Sequence, residues 1–219
     1  MKVSLAKHMV GKGVSPVVGK EDGMVIKTET ALGRFVAKTR ELFAQEPDLA
    51  KRWEKLTPIL SELLADPEVQ RSSKQWPDCV VKDGRAENLL FYEDPDYGFA
   101  VNGLTKLPNI HGRIHDHAHI YTLYGVLDGT ETIERYKRLD DGSKPDYAEV
   151  QLDGSFVVGP GDVDLVPPHQ IHTEQSGEER TVAVIIRSEK SGGFLQGRYE
   201  PDTNRYYQGY GPRQTPTEM

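Results

Sequence analysis

The 219-residue chain has one cysteine, Cys79, so it can form no internal disulfide and no zinc site built from several thiolates. Any metal would have to be held by histidine and carboxylate. No stretch approaches the ~20 consecutive apolar residues that cross a bilayer. Residues Met1 to Lys27 carry lysines, but no apolar core followed by the small-residue cleavage site that directs secretion, so the cytoplasm is the expected location. Basic residues are also in short supply, 27 against 34 acidic, for a formal charge of −7. With no Lys/Arg cluster interleaved with aromatics, the electrostatic footprint of a nucleic-acid-binding surface is missing. The length suits one domain with an appendage.

What is present divides into two patterns. Between Thr28 and Gln45, the residues Leu32, Phe35, Val36, Leu42 and Phe43 share one helical face, and Pro47 closes the segment. Asp48 is placed to cap a second helix carrying Leu49, Trp53 and Leu56. Thr57 and Pro58 read as the end of that helix and the start of a third, Ile59 to Ala65, stopped by Asp66 and Pro67. After Trp76 the period shortens. Runs rich in Val, Ile, Leu, Tyr and Phe are cut by turn signals such as Asp128-Gly129, Asp153-Gly154 and Gly159-Pro-Gly-Asp162. No crossover helix interrupts them, so an antiparallel sandwich or barrel is expected. The predicted organisation is an arm and helices over 1–75, a barrel over 76–195, and a Tyr/Gly/Pro/Arg-rich tail over 196–219 that is either extended along the barrel or disordered. Residues 1–27 show no sustained period.

The chemistry concentrates in the histidines between His111 and His172. His115 and His117 flank Asp116, so on a strand both imidazoles project from the same face and can grip one ion. Farther along, Gly161 to His172 reads as a glycine turn, a strand, Pro167 and then a histidine that a returning strand could bring opposite the pair. His119 and Tyr121 share the parity of the ligand pair. His119 is a candidate acid/base group, with a hydrogen-bonded structural histidine as the alternative. Asp116 points the other way and reads as structural. Arg113 and Glu174 have ligand parity but read as barrel-mouth ion-pair residues. His111 and His169 read as non-ligands.

These two stretches resemble the two cupin motifs: His115-x-His117 followed by Gly129, and Gly161, Pro167 and His172. The resemblance implies a mainly β fold, the cupin double-stranded β-helix or jelly-roll barrel, with the helices packed on it. Cupins of this pattern place a glutamate four or five residues after the second histidine, where this chain has Tyr121 and Thr122. It is therefore similar to the three-histidine variant found in cysteine dioxygenase and related bacterial thiol dioxygenases. Asn88-Leu-Leu90 and Glu134-Arg-Tyr136 extend the likeness over roughly residues 30 to 190. The resemblance implies a non-haem Fe(II)-dependent dioxygenase acting on a small molecule, most simply a small thiol, with dioxygen as co-substrate. Nickel, manganese, copper and zinc also accept imidazole.

The substrate anchors differ from that family. Where it has an arginine, this chain has Glu87, with Arg85 on the same strand face. Its Ser-x-His-x-Tyr run is replaced by Ala183-Val-Ile-Ile-Arg187-Ser188, and Thr122 holds the place of the cross-linking cysteine. Arg85, Glu87, Arg187 and Thr122 are the candidate substrate-binding residues, Arg187 for an anion and Glu87 for an amine or hydroxyl. The alternatives are a metal-dependent cupin acting on a non-thiol substrate, by oxidative carbon–carbon cleavage, isomerisation or elimination, or a non-catalytic cupin that binds a small ligand. Cupin barrels often pair as homodimers through sheet edges.

Overall fold

A computed structural model describes residues 27–82 and 85–219. Residues 1–26, for which the sequence sets no element, lie outside the described residues. Three helices come first: α1 (Ala31–Gln45), α2 (Leu49–Leu64) and α3 (Pro67–Ser72). Each begins at a side chain that accepts an otherwise unpaired backbone N–H: Thr30 from Gly33, Asp48 from Lys51 and Asp66 from Glu68.

The break expected at Thr57-Pro58 does not occur, because α2 runs through Pro58 as one helix. Proline removes the hydrogen bond to the Glu54 carbonyl, but Glu54 and Pro58 are both exposed, so water can take that carbonyl. On the opposite face Trp53, Leu56, Leu60, Leu63 and Leu64 form an unbroken buried stripe. Burying each such side chain contributes about 1.5–3 kcal/mol, so the stripe outweighs a solvent-facing defect. The third helix is instead Pro67–Ser72. No helix among the described residues is long and apolar enough to cross a membrane.

The strands that follow among the described residues are β1 (Val81–Lys82), β2 (Arg85–Glu93), β3 (Ala100–Lys106), β4 (Ile114–His115), β5 (Thr122–Asp128), β6 (Glu131–Arg138), β7 (Val150–Val158), β8 (Val163–Val166), β9 (Ile171–Ser176), β10 (Thr181–Arg187), β11 (Leu195–Glu200), β12 (Arg205–Tyr210) and β13 (Arg213–Pro216). One sheet has the order β1-β2-β3-β10-β5-β8, with β13 also on β2; the other has the order β12-β11-β4-β9-β6-β7. This is a jelly roll of two largely antiparallel sheets. Among the described residues only β13 runs parallel to its neighbour. Of the two alternatives for the C-terminal stretch, the extended one holds: β11 and β12 extend the second sheet and β13 joins the first.

Strand alternation sorts the two faces of the first sheet. Val182, Val184 and Ile186 of β10 pack with Trp53, Leu56 and Phe91 under the helices, whereas Ala183 and Ile185 join Tyr124, Val126, Ile133 and Val158 between the sheets. Leu123 of β5 likewise faces the helices, and a Cβ on Gly125 would lie 2.8 Å from Leu64 Cδ1, so α2 sits close against the β5 backbone. The motif glycines Gly129 and Gly161 turn the chain at φ of 74° and 92°, the left-handed region that favours glycine.

Candidate metal centre

The strand β4 is two residues long. His115 pairs with His172 of β9 on one side and Arg198 of β11 on the other. The chain then leaves the ladder: Asp116 accepts from the backbone N–H of Ala118, and Ala118 turns at φ 51°. His117 is therefore presented by a turn and not by the strand parity that sequence suggests, yet it reaches the same place. The ring centroids lie 5.0 Å apart for His115–His117, 4.5 Å for His115–His172 and 4.8 Å for His117–His172. One ligand atom from each of the three lies within 4.8 Å of the others.

The outer nitrogens decide which atoms face inward. Nδ1 of His115 is 2.8 Å from the Arg113 carbonyl and Nδ1 of His172 is 3.1 Å from the Gln170 carbonyl. A carbonyl only accepts, so both Nδ1 atoms carry a proton, and Nε2 is the atom each ring can offer to a metal. Nδ1 of His117 lies 2.8 Å from the Thr122 hydroxyl. This is the outer-shell arrangement that orients metal-binding imidazoles. Burial, and secondarily the neighbouring His172, push His115 down to about 3 and His117 well below its ordinary value; both are held as neutral ligands. Three inward imidazole nitrogens with engaged outer nitrogens fit a first-row divalent metal.

The space between the sheets beside the histidines is polar. Glu174, two residues after His172 on β9, places Oε1 3.1 Å from His172 Nε2. Burial alone would raise its carboxyl, but His172 and then Lys106 outweigh it and hold Glu174 well below the usual range. Arg187 is buried, and its hydrogen bonds go to amides: Nη1 donates to Asn102 Oδ1 at 3.0 Å, and Nη2 lies 3.3 Å from the Asn88 side-chain oxygen once that amide is turned to donate to the Glu87 carbonyl. Arg187 Nε has no partner, and burial lowers the guanidinium to about 10. Deeper in, Lys106 pairs with Glu131 at 3.1 Å, while the Tyr124 hydroxyl and Glu131 Oε1 complete no hydrogen bond. Burial raises both Tyr124 and Glu131. Buried polar atoms without partners are uncommon in folded proteins, and Arg187 Nε, Tyr124 Oη and Glu131 Oε1 are among those here.

Of the candidate residues, His115, His117, His172, Thr122 and Arg187 come together. The others do not. His119 is on the outer surface, its side chain 58% exposed and paired with Glu189, because the turn at Ala118 breaks the strand parity assumed for it. Tyr121 points to the helices and stacks on Trp53 at 5.9 Å with the rings 4° from parallel. Arg85 donates to the Gly211 carbonyl and lies over the Tyr210 ring. With Glu87 it lines an outer groove together with Lys190 and Arg213. Thr122 meets His117 before any substrate. Asp116 is structural, accepting from Gly197 N at 2.9 Å and Tyr199 Oη at 2.7 Å. Glu174, read from sequence as a rim residue, is at the centre; its parity with His172 was the available signal.

No family model matches the chain, and no curated protein matches it. Among solved structures, it is similar to an oxalate oxidase in complex with glycolate (20% identity over 42% of each chain, TM-score 0.34). Two further matches are the Schizosaccharomyces pombe Cnp3 cupin domain (10%, 51% of this chain and 69% of that one, 0.37) and KdgF from Halomonas sp. (14%, 53% and 89%, 0.40). The chain spans less than half of the oxalate oxidase. Similarity at this level carries nothing about activity.

Proposed function

We propose that this protein is a metal-dependent enzyme in which His115, His117 and His172 hold iron(II), and that it oxidises a small anionic molecule with dioxygen, a small thiol being the first candidate. The reading rests chiefly on three histidines whose ligand atoms lie within 4.8 Å of one another, together with Arg187, a buried cation whose hydrogen-bond partners are amides. A buried, incompletely paired guanidinium is costly unless something anionic joins it. A substrate carboxylate is suited to that place. Iron(II), when bound, offers open positions to substrate and dioxygen. Thr122 orients His117.

A second reading, oxidation of an enolate or diketone, is favoured by the tyrosines. Tyr121 stacks on Trp53 away from the histidines, and Tyr124 is directed toward Glu131, so neither stands where thiol dioxygenases carry their tyrosine. Anaerobic loading with iron(II), followed by oxygen uptake against a panel of small thiols and diketones, tests both, with His172→Ala as control. Uptake with a thiol supports the first reading and uptake with a diketone the second. No uptake by stoichiometrically loaded protein would contradict both and favour ligand binding without turnover.

A further inference from the structure

Three side-chain amides from adjacent strands meet at the buried Arg187. Strands β13, β2 and β3 are successive neighbours in the first sheet, and β3 pairs with β10, which carries Arg187. Asn102 of β3, fully buried, is the centre of the network. Its Nδ2 donates to the Leu89 carbonyl at 3.0 Å, which fixes the orientation of the amide, because a carbonyl only accepts. Oδ1 therefore faces the other way, where it accepts from Arg187 Nη1 and from Gln214 Nε2, each at 3.0 Å. Both lone pairs of that oxygen are thereby used. Gln214 is the register partner of Asn88, whose turned amide accepts from Arg187 Nη2 at 3.3 Å.

The use of amides has an electrostatic consequence. A carboxylate at position 102 would accept the same hydrogen bond but would compensate the charge of the guanidinium. An amide oxygen holds the fork in place and leaves its charge available, and Arg187 Nε, without a partner, is still able to donate. Gln214 adds a second constraint. With Nδ2 on the Leu89 carbonyl and Oδ1 shared with Gln214, the Asn102 amide is tied on both sides and keeps its oxygen toward the cation.

We infer that Asn102 and Gln214 are positioning residues for anion binding, holding Arg187 oriented and uncompensated, so that the C-terminal strand β13 is a working part of the substrate site. This deepens the reading of Arg187 as the substrate's anchor and rests on it.

The test uses the full chain loaded anaerobically with iron(II) and titrated calorimetrically with mercaptoacetate and with mercaptoacetamide, two thiols of one shape that differ in charge. Wild type should prefer the carboxylate more than about tenfold, the strength of a charge-assisted hydrogen bond. Asn102→Asp gives Arg187 an internal carboxylate, and the preference should largely disappear. Gln214→Met removes only the outer support, at a half-buried position, and should lower the preference about two- to tenfold. A purely structural role would weaken both thiols alike and keep their ratio at the wild-type value. An unchanged ratio in both variants overturns the assignment and leaves Arg187 as the anchor; an unchanged ratio in Gln214→Met alone removes β13 from it. A wild type that does not prefer the carboxylate overturns the anchor reading, and the assignment falls with it.

Discussion

Thr122 and Arg187 are direct partners across the β5–β10 ladder, and the Thr122 hydroxyl lies 2.8 Å from Nδ1 of His117. One cross-strand pair thus sets the orientation of a metal-binding ring beside the buried cation.

Thr122→Val removes the His117 partner while keeping the shape of the side chain. Metal affinity should fall about 10- to 100-fold, as for other outer-shell partners, and Thr122→Ser should restore most of it. Competition against a chromophoric chelator measures both, and equal affinities for wild type and valine variant would refute the role.

Arg187→Met exchanges a buried cation for an apolar chain of similar length. Removing an incompletely paired charge should raise stability by about 1–3 kcal/mol, while the KM for an anionic substrate rises at least tenfold. Gln214 Nε2 still donates to Asn102 Oδ1 in the variant, so one amide keeps its partner. Urea unfolding and steady-state kinetics would show the opposed changes; a destabilised variant with unchanged KM would mean that the guanidinium serves the fold.

Asp116 joins the ligand turn to the β11–β12 hairpin, taking bonds from Ala118, Gly197 and Tyr199. Asp116→Ala should cost roughly 3 kcal/mol, read as a lower urea midpoint. A Cβ on Gly197 would sit 2.3 Å from Asp116 Oδ2, so Gly197→Ala should lower the midpoint too. A Gly197→Ala protein as stable as wild type would show that the hairpin is not locked to the ligand turn.

Asp140 is held below its ordinary value by Arg138, and further by the backbone N–H groups of Glu149 and Gly142. Its carboxyl therefore ionises more readily in the folded than in the unfolded chain. The stabilisation is present above the ordinary carboxylate value near 4 and fades as pH falls below it. The difference in urea midpoint between wild type and Asp140→Asn should shrink between pH 5 and pH 2. A constant difference would assign it to lost hydrogen bonds alone.

Local signals made the barrel and the three histidines legible in the sequence: alternating apolar residues, turn glycines at 129 and 161, and histidines at fixed distance from them. His119 and Tyr121 fall outside the site because the strands do not extend to them. His119 was given the parity of His115, but β4 stops at His115 and the chain turns at Ala118. Tyr121 was counted on the same face, although β5 begins only at Thr122. Thr57-Pro58 carried a strong local break signal that the buried Trp53 to Leu64 stripe overrides. Glu174 lay two residues from a ligand on the same strand face, but its closeness to Nε2 of His172 belongs to the folded structure.

Metal content tests the central claim most directly. Wild type and His172→Ala would be loaded anaerobically with iron(II), desalted, and assayed for iron per chain. The account predicts close to one equivalent in the wild type and almost none in the variant; equal iron in the two, or none in either, would contradict it.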